Sequence, residues 1–146
     1  MDPEIVKSTF ATARETGGLI EITDDMNSLK DADVIYGDIW ASMGEEALIP
    51  KRTELLSPYR VTEETIQATG NPDVLYMHCL PADITGLSCE EGEVDNSVFD
   101  RYIVPLYKQA SYKPYIIAAM IFMSQVKDPV RALMAMDEGT GKRKSF

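Results

Sequence analysis

The spacing of its strand-like segments limits the folds open to this chain. Val34-Ile35-Tyr36 and residues 73–77 are rich in β-favouring side chains, and some forty residues with helix signals stand between them. A two-residue turn can join only antiparallel neighbours, whereas strands separated by helices pair in parallel through right-handed crossovers. The expected fold class is therefore α/β, an open parallel sheet flanked by helices.

The remaining elements are read around that frame. Asp2-Pro3-Glu4 supplies an N-cap, a proline at the first helical position and an early acid, and Gly17-Gly18 supplies a stop. Residues 3–16 should be a helix with Ile5, Phe10 and Ala13 inward. Residues 19–23 read as a strand, Asp24 as the cap of a short helix through Lys30, and Thr62-Glu63-Glu64 as the opening of a helix that ends near Gly70. Residues 46–56 stay ambiguous, because Pro50 interrupts them. The acidic stretch 81–95 reads as loop, residues 102–106 as a fourth strand, and Pro114 as the start of a helix apolar on every side, which should be buried. The glycine-rich, basic end, residues 137–146, is expected to fray, which leaves residues 1–136 as the folded part.

Composition narrows the function. A length of 146 residues suits one domain, and 14 basic against 24 acidic residues give a net charge of −10, which repels phosphate backbones and anionic lipid. Neither nucleic acid nor membrane is expected as a partner. The longest nearly apolar run, residues 114–123, is far short of the roughly 20 residues needed to cross a bilayer, and no basic-then-apolar leader is seen, so a cytoplasmic protein is expected. Cys79 and Cys89 do not form the dense framework of small secreted domains. With one histidine they also make a poor zinc site, the glycine spacings of nucleotide loops are absent, and Glu90 to Asp95 lacks a calcium loop's alternation and reads as a solvated turn. No metal and no cofactor is expected.

In an open parallel sheet, ligands sit beyond the carboxyl ends of the strands. The loops there carry Asp38, Trp40, Ser42 and Met43, then His78, Cys79 and Leu80, then Ser111, Tyr112 and Lys113. Singly each has a structural reading, since Asp38 and Ser42 can cap a turn, Trp40 can pack, and a His-Cys pair often ends a strand in a core. Together they offer a carboxylate, a hydroxyl, an imidazole, a thiol, a cation and loop carbonyls, a set suited to a small zwitterion.

The motif Asp38-x-Trp40-x-Ser42-Met43-Gly44, followed about 35 positions later by Met77-His78-Cys79-Leu80-Pro81-Ala82, resembles the second half of ornithine-type transcarbamylases. The resemblance covers about residues 3–125. The runs Ala82-Asp83-Ile84-Thr85-Gly86 and Ala110-Ser111-Tyr112-Lys113-Pro114 are most similar to the YgeW-like branch. It implies transfer of a carbamoyl group between carbamoyl phosphate and the amine of an amino acid such as ornithine. Asp38, Ser42 and Met43 would hold the amino acid, and Cys79 and Leu80 would lie beside the reacting amine and the carbamoyl group. His78 would either contact the carbonyl or hydrogen-bond within the strand end. Where ornithine-type enzymes carry Glu-Asn-Arg, this chain has Ser111-Tyr112-Lys113, and Lys113 is the candidate for the positive charge that meets carbamoyl phosphate, though without a guanidinium's bidentate grip.

The resemblance also implies a first domain with a Ser-x-Arg-Thr-type helix start, a motif this sequence does not contain. The chain is then expected to be part of the second domain, inactive alone, and to associate with itself or with a chain carrying the first domain. Two other readings remain at this stage: a non-catalytic amino-acid-binding module, and one half of a split enzyme.

Overall fold

The computed structural model describes residues 2–42 and 44–139. Helix α1 is Pro3–Thr16, capped by the Asp2 side chain accepting the Glu4 amide at 2.9 Å and ended by Gly17 at φ 75°. Of its expected inward residues only Ala13 is buried, and Ile5 is exposed. A 3-10 turn at Met26–Leu29, capped by Asp25 rather than Asp24, leads into strand β1, Val34–Gly37. Helices α2, Ile49–Leu56, and α3, Glu63–Ala68, follow. Pro50 lies in the first turn of α2, where its missing N–H would be unpaired anyway, so it starts a helix rather than interrupting one.

Strand β2, Leu75–His78, pairs with β1 in parallel, in the register Val34↔Leu75 to Gly37↔His78. Two further short parallel strands, β3 at Ile84–Thr85 and β4 at Val94–Asp95, lie inside the stretch expected to be all loop. Helices α4, Asn96–Ala110, α5, Lys113–Gln125, and α6, Pro129–Gly139, complete the described chain. Residues 140–146, most of the expected frayed end, lie outside the described residues.

The fold is α/β with parallel strands, and three expectations are corrected within it. Residues 102–106 are not a strand but the middle of α4. Val98, Phe99, Tyr102 and Leu106 are buried on one helical stripe, and this 3.6-residue periodicity overrides the local β preference of Tyr102, Ile103 and Val104. Residues 19–23 form no strand. β preference needs a ladder partner, none of the described residues pairs with them, and Leu19 is 95% exposed. Helix α5, expected to be buried, is exposed along its length, Tyr115 at 73% and Met120 at 66%, because none of the described residues covers it.

The core lies between β2 and α4. Ile35, Val61, Ile66, Val74, Tyr76, Ile84, Val94, Val98, Phe99, Tyr102 and Leu106 pack together, with Leu29, Leu80 and Ala82 at the margin. The Tyr102 hydroxyl donates to the Val74 carbonyl at 2.9 Å, tying helix to strand through a buried hydrogen bond. Among the described residues only one face of the β1–β2 pair is covered: Ile35 and Tyr76 are inside while Val34, Tyr36 and Leu75 face out.

Candidate functional site

The parallel register builds the site. Gly37 and His78 are paired at the ends of β1 and β2, so the next residues, Asp38 and Cys79, leave the sheet side by side at its carboxyl edge. The Cys79 thiol donates to Asp38 Oδ1 at 3.0 Å, across 41 positions of sequence, and the Ile39 amide donates to the same oxygen at 2.9 Å. Gly37 is required here. A Cβ on it would stand 2.6 Å from the Tyr76 hydroxyl and 3.0 Å from His78 Cδ2.

A third segment joins them. Lys113, the first residue of α5, donates from Nζ to the Cys79 carbonyl at 2.9 Å. A carboxylate, a thiol and an ammonium are thus assembled around one residue, all at solvent-reached positions. The thiol's hydrogen bond is the main reason the Asp38 carboxyl titrates below the ordinary range. Partial burial, followed by the Asp38 interaction, pushes the Cys79 thiol up. At neutral pH the pair is therefore a carboxylate and a neutral thiol, which can offer an anion to an amino group but is poorly set up for nucleophilic attack.

Leu80 has φ 51°, in the left-handed region, and its amide donates to His78 Nδ1 at 2.9 Å. The His78 side chain lies beneath the loop rather than in its mouth, 1% exposed. Its Nε2 is 3.2 Å from Glu93 Oε1, an ion-pair distance reached off the line of the N–H bond, so the contact is electrostatic rather than a well-aligned hydrogen bond. Glu93 is only 3% exposed, which corrects the solvated-turn reading of 90–95: Glu90 and Glu91 are at the surface, but Glu93 is in the core. No sequence signal separated it from its acidic neighbours.

Ser42 stands apart from this cluster. It is exposed, its amide donates to Glu45 Oε2 at 3.2 Å, and its described contacts are with Glu45 rather than with Asp38, Cys79 or Lys113. Met43 lies outside the described residues. The loop segment that carries Trp40 and Ser42 is fastened by Arg52, which donates to the Trp40 carbonyl at 2.8 Å and grips both oxygens of Glu45 at 2.7 and 3.1 Å. Arg52 sits in the segment read as ambiguous, so its role was not visible from sequence. Among the described residues no group of three or more His, Cys, Asp or Glu side chains could hold a metal ion.

Comparison with known proteins gives the family to which this chain is similar. The model of the aspartate/ornithine carbamoyltransferase Asp/Orn-binding domain matches residues 1–124. YgeW of Escherichia coli strain K12 is 37% identical over 150 residues, covering 87% of this chain and 37% of the relative. The catabolic ornithine carbamoyltransferase of Clostridium perfringens strain 13 is 45% identical over 102 residues, covering 68% of this chain and 30% of that protein. In fold, the chain is similar to the anabolic ornithine carbamoyltransferase of Campylobacter jejuni, with a TM-score of 0.73, 28% identity, and coverage of 83% of this chain and 38% of that one. The chain therefore spans about a third of the length of these relatives. Through the matched residues, which contain the whole Asp38, Cys79 and Lys113 cluster, this chain belongs to the aspartate/ornithine carbamoyltransferase family, as its amino-acid-binding domain.

Proposed function

We propose that this chain supplies the amino-acid half of a carbamoyl-transfer site, with carbamoyl phosphate and an amino acid such as ornithine as substrates. The observation that carries the reading is the convergence of three loops on Cys79: its thiol on Asp38 at 3.0 Å and its carbonyl on Lys113 at 2.9 Å. Asp38 receives the ammonium of the amino acid, and Ser42 and Met43 complete that end of the site. The attacking amine must be uncharged and the planar carbamoyl group has hydrogens that need acceptors. The carbonyls of Cys79 and Leu80 supply those acceptors, with His78 shaping the loop from below. Lys113 contributes the positive charge that meets carbamoyl phosphate.

On this reading residues 1–136 act as part of an amino-acid-binding domain, in a cytoplasmic enzyme. Most of the carbamoyl phosphate contacts come from residues other than those described. The partner that brings them is a domain of the type carrying Ser-x-Arg-Thr or an assembly with further copies. The 146-residue chain alone binds an amino acid and makes no carbamoylated product.

The test is calorimetric titration of the 146-residue protein with ornithine, shorter diamino acids and ureido acids, followed by assay with carbamoyl phosphate. Ornithine-class amino acids should bind, and Asp38→Asn should weaken them about tenfold or more, the worth of one charge-assisted hydrogen bond. Affinity that survives Asp38→Asn contradicts the assignment of Asp38, and citrulline-type product from the chain alone contradicts its dependence on other residues.

A further inference from the structure

We infer that Glu93 is the positioning residue of this site: its buried carboxylate, set between His78 and the Asp83 amide, fixes the loop from Cys79 to Ala82 from beneath. The inference rests on the carbamoyl-transfer reading for what the loop is for, and on geometry alone for what holds it.

A carboxylate removed from water is strongly destabilising unless its oxygens are engaged. One oxygen of Glu93 serves both ends of the loop, while Oε2 is buried with no hydrogen-bond partner among the described residues. Oε1 accepts the Asp83 amide at 2.6 Å and lies 3.2 Å from His78 Nε2. His78 passes the constraint on. Its Nδ1 accepts the Leu80 amide at 2.9 Å, so the bare lone pair is on Nδ1 and the ring proton is on Nε2, facing Glu93. Leu80 is thereby held in its left-handed conformation, and the Cys79 carbonyl is left free to meet Lys113. Without the Glu93 carboxylate facing Nε2, the opposite tautomer becomes competitive and would put a proton against the Leu80 amide.

Glu93 is itself well anchored. Its carbonyl accepts the Val61 amide at 2.9 Å, and β4 next to it pairs with β3. Gly92 brings the two segments together: a Cβ there would collide with the Asp83 carbonyl. Arg60 Nε donates to the Gly92 carbonyl at 3.0 Å and closes the same turn. The carboxylate is therefore delivered by a rigid backbone to a loop that is otherwise joined by single contacts.

The chain has one histidine, so a long-range proton–nitrogen correlation spectrum of the labelled 146-residue protein reports on His78 alone. The expected result is one tautomer, proton on Nε2, in the wild type and in Glu93→Gln, whose amide oxygen keeps the negative end of its dipole toward the ring. Glu93→Ala should give a mixture. A second readout is alkylation of Cys79, followed beside a denaturant melt because the Cys89 thiol also feels the Glu93 charge. Glu93→Ala should speed Cys79 about fivefold, the factor set by one hydrogen bond's worth of loop stability, and Glu93→Gln should restore the slow rate. A wild-type imidazole that is mixed or protonated on Nδ1 overturns the inference without any variant. So does a Glu93→Ala protein in which Cys79 is unchanged, or in which its acceleration is fully accounted for by the fall in global stability seen in the melt. Neither readout uses a substrate, so failure of the carbamoyl-transfer reading leaves both results standing, and failure here leaves the ornithine titration unaffected.

Discussion

Two carboxylates fasten the two principal loops of the site, and they do so in opposite surroundings. Glu45 grips Arg52 at the surface, where water competes for every hydrogen bond, and Arg52 in turn reaches the Trp40 carbonyl. Glu93 meets His78 and Asp83 inside the core, where no solvent can replace a lost partner. A surface clamp biases a loop toward one shape, while a buried one makes that shape a condition of folding. The loop that would touch the reacting atoms has the buried clamp, and the loop that would receive the amino acid has the exposed one.

The largest effect that could break this contrast is His78→Leu. It leaves the Glu93 carboxylate buried with only the Asp83 amide, and should lower stability by about 3 kcal/mol in a denaturant melt. Gly37→Ala comes next. A methyl forced against the Tyr76 hydroxyl and His78 should cost about 1–3 kcal/mol and should also spread Asp38 from Cys79, weakening amino-acid binding. Arg52→Ala should leave the melting midpoint unchanged within error while loosening the 38–46 loop, seen as faster proteolysis there. If Arg52→Ala destabilised the fold as much as His78→Leu, the contrast between the clamps would be wrong.

The smallest effect is a pH dependence at the Asp38–Cys79 contact. Asp38 titrates below its ordinary range in the fold because of the thiol's hydrogen bond. Its stabilisation is therefore present above the unfolded carboxyl range and lost as pH falls through the folded value. Cys79 is raised, chiefly by desolvation, so its share is present below the unfolded thiol range and lost as pH rises through the folded value. The contact should give a shallow plateau of stability around neutrality, which Asp38→Asn lowers as a whole and flattens on the acid side, because the group whose protonation produces that limb is gone. A set of melts across pH checks it, and an unchanged acid limb in Asp38→Asn would remove the linkage.

Legibility from sequence followed the same division between local and distant partners. Asp2, Gly17, Thr62 and Gly70 mark helix ends through contacts a few residues away, and α1 and α3 lie where those signals put them. Strands β1 and β2 were also readable, and with them the two loops that carry Asp38 and Cys79. Residues 19–23 and α5 were misread for a shared reason: their apolar or β-rich character states a need for a neighbour, and none of the described residues meets it. Residues 102–106 were misread because a five-residue window favours strand, whereas the buried stripe from Val98 to Leu106 is visible only over a longer span. Glu93 was missed because its partner, His78, is 15 positions away and nothing in an acidic run marks which member turns inward.

If an amino acid binds where Asp38, Cys79 and Lys113 meet, as proposed, the two cysteines report it in one tube. Cys79 is in that cluster and Cys89 lies outside it. Alkylation of the 146-residue protein should be slowed at Cys79 by saturating ornithine while Cys89 reacts at its unliganded rate. Equal rates at Cys79 with and without ornithine, or equal slowing at both cysteines, would contradict the account.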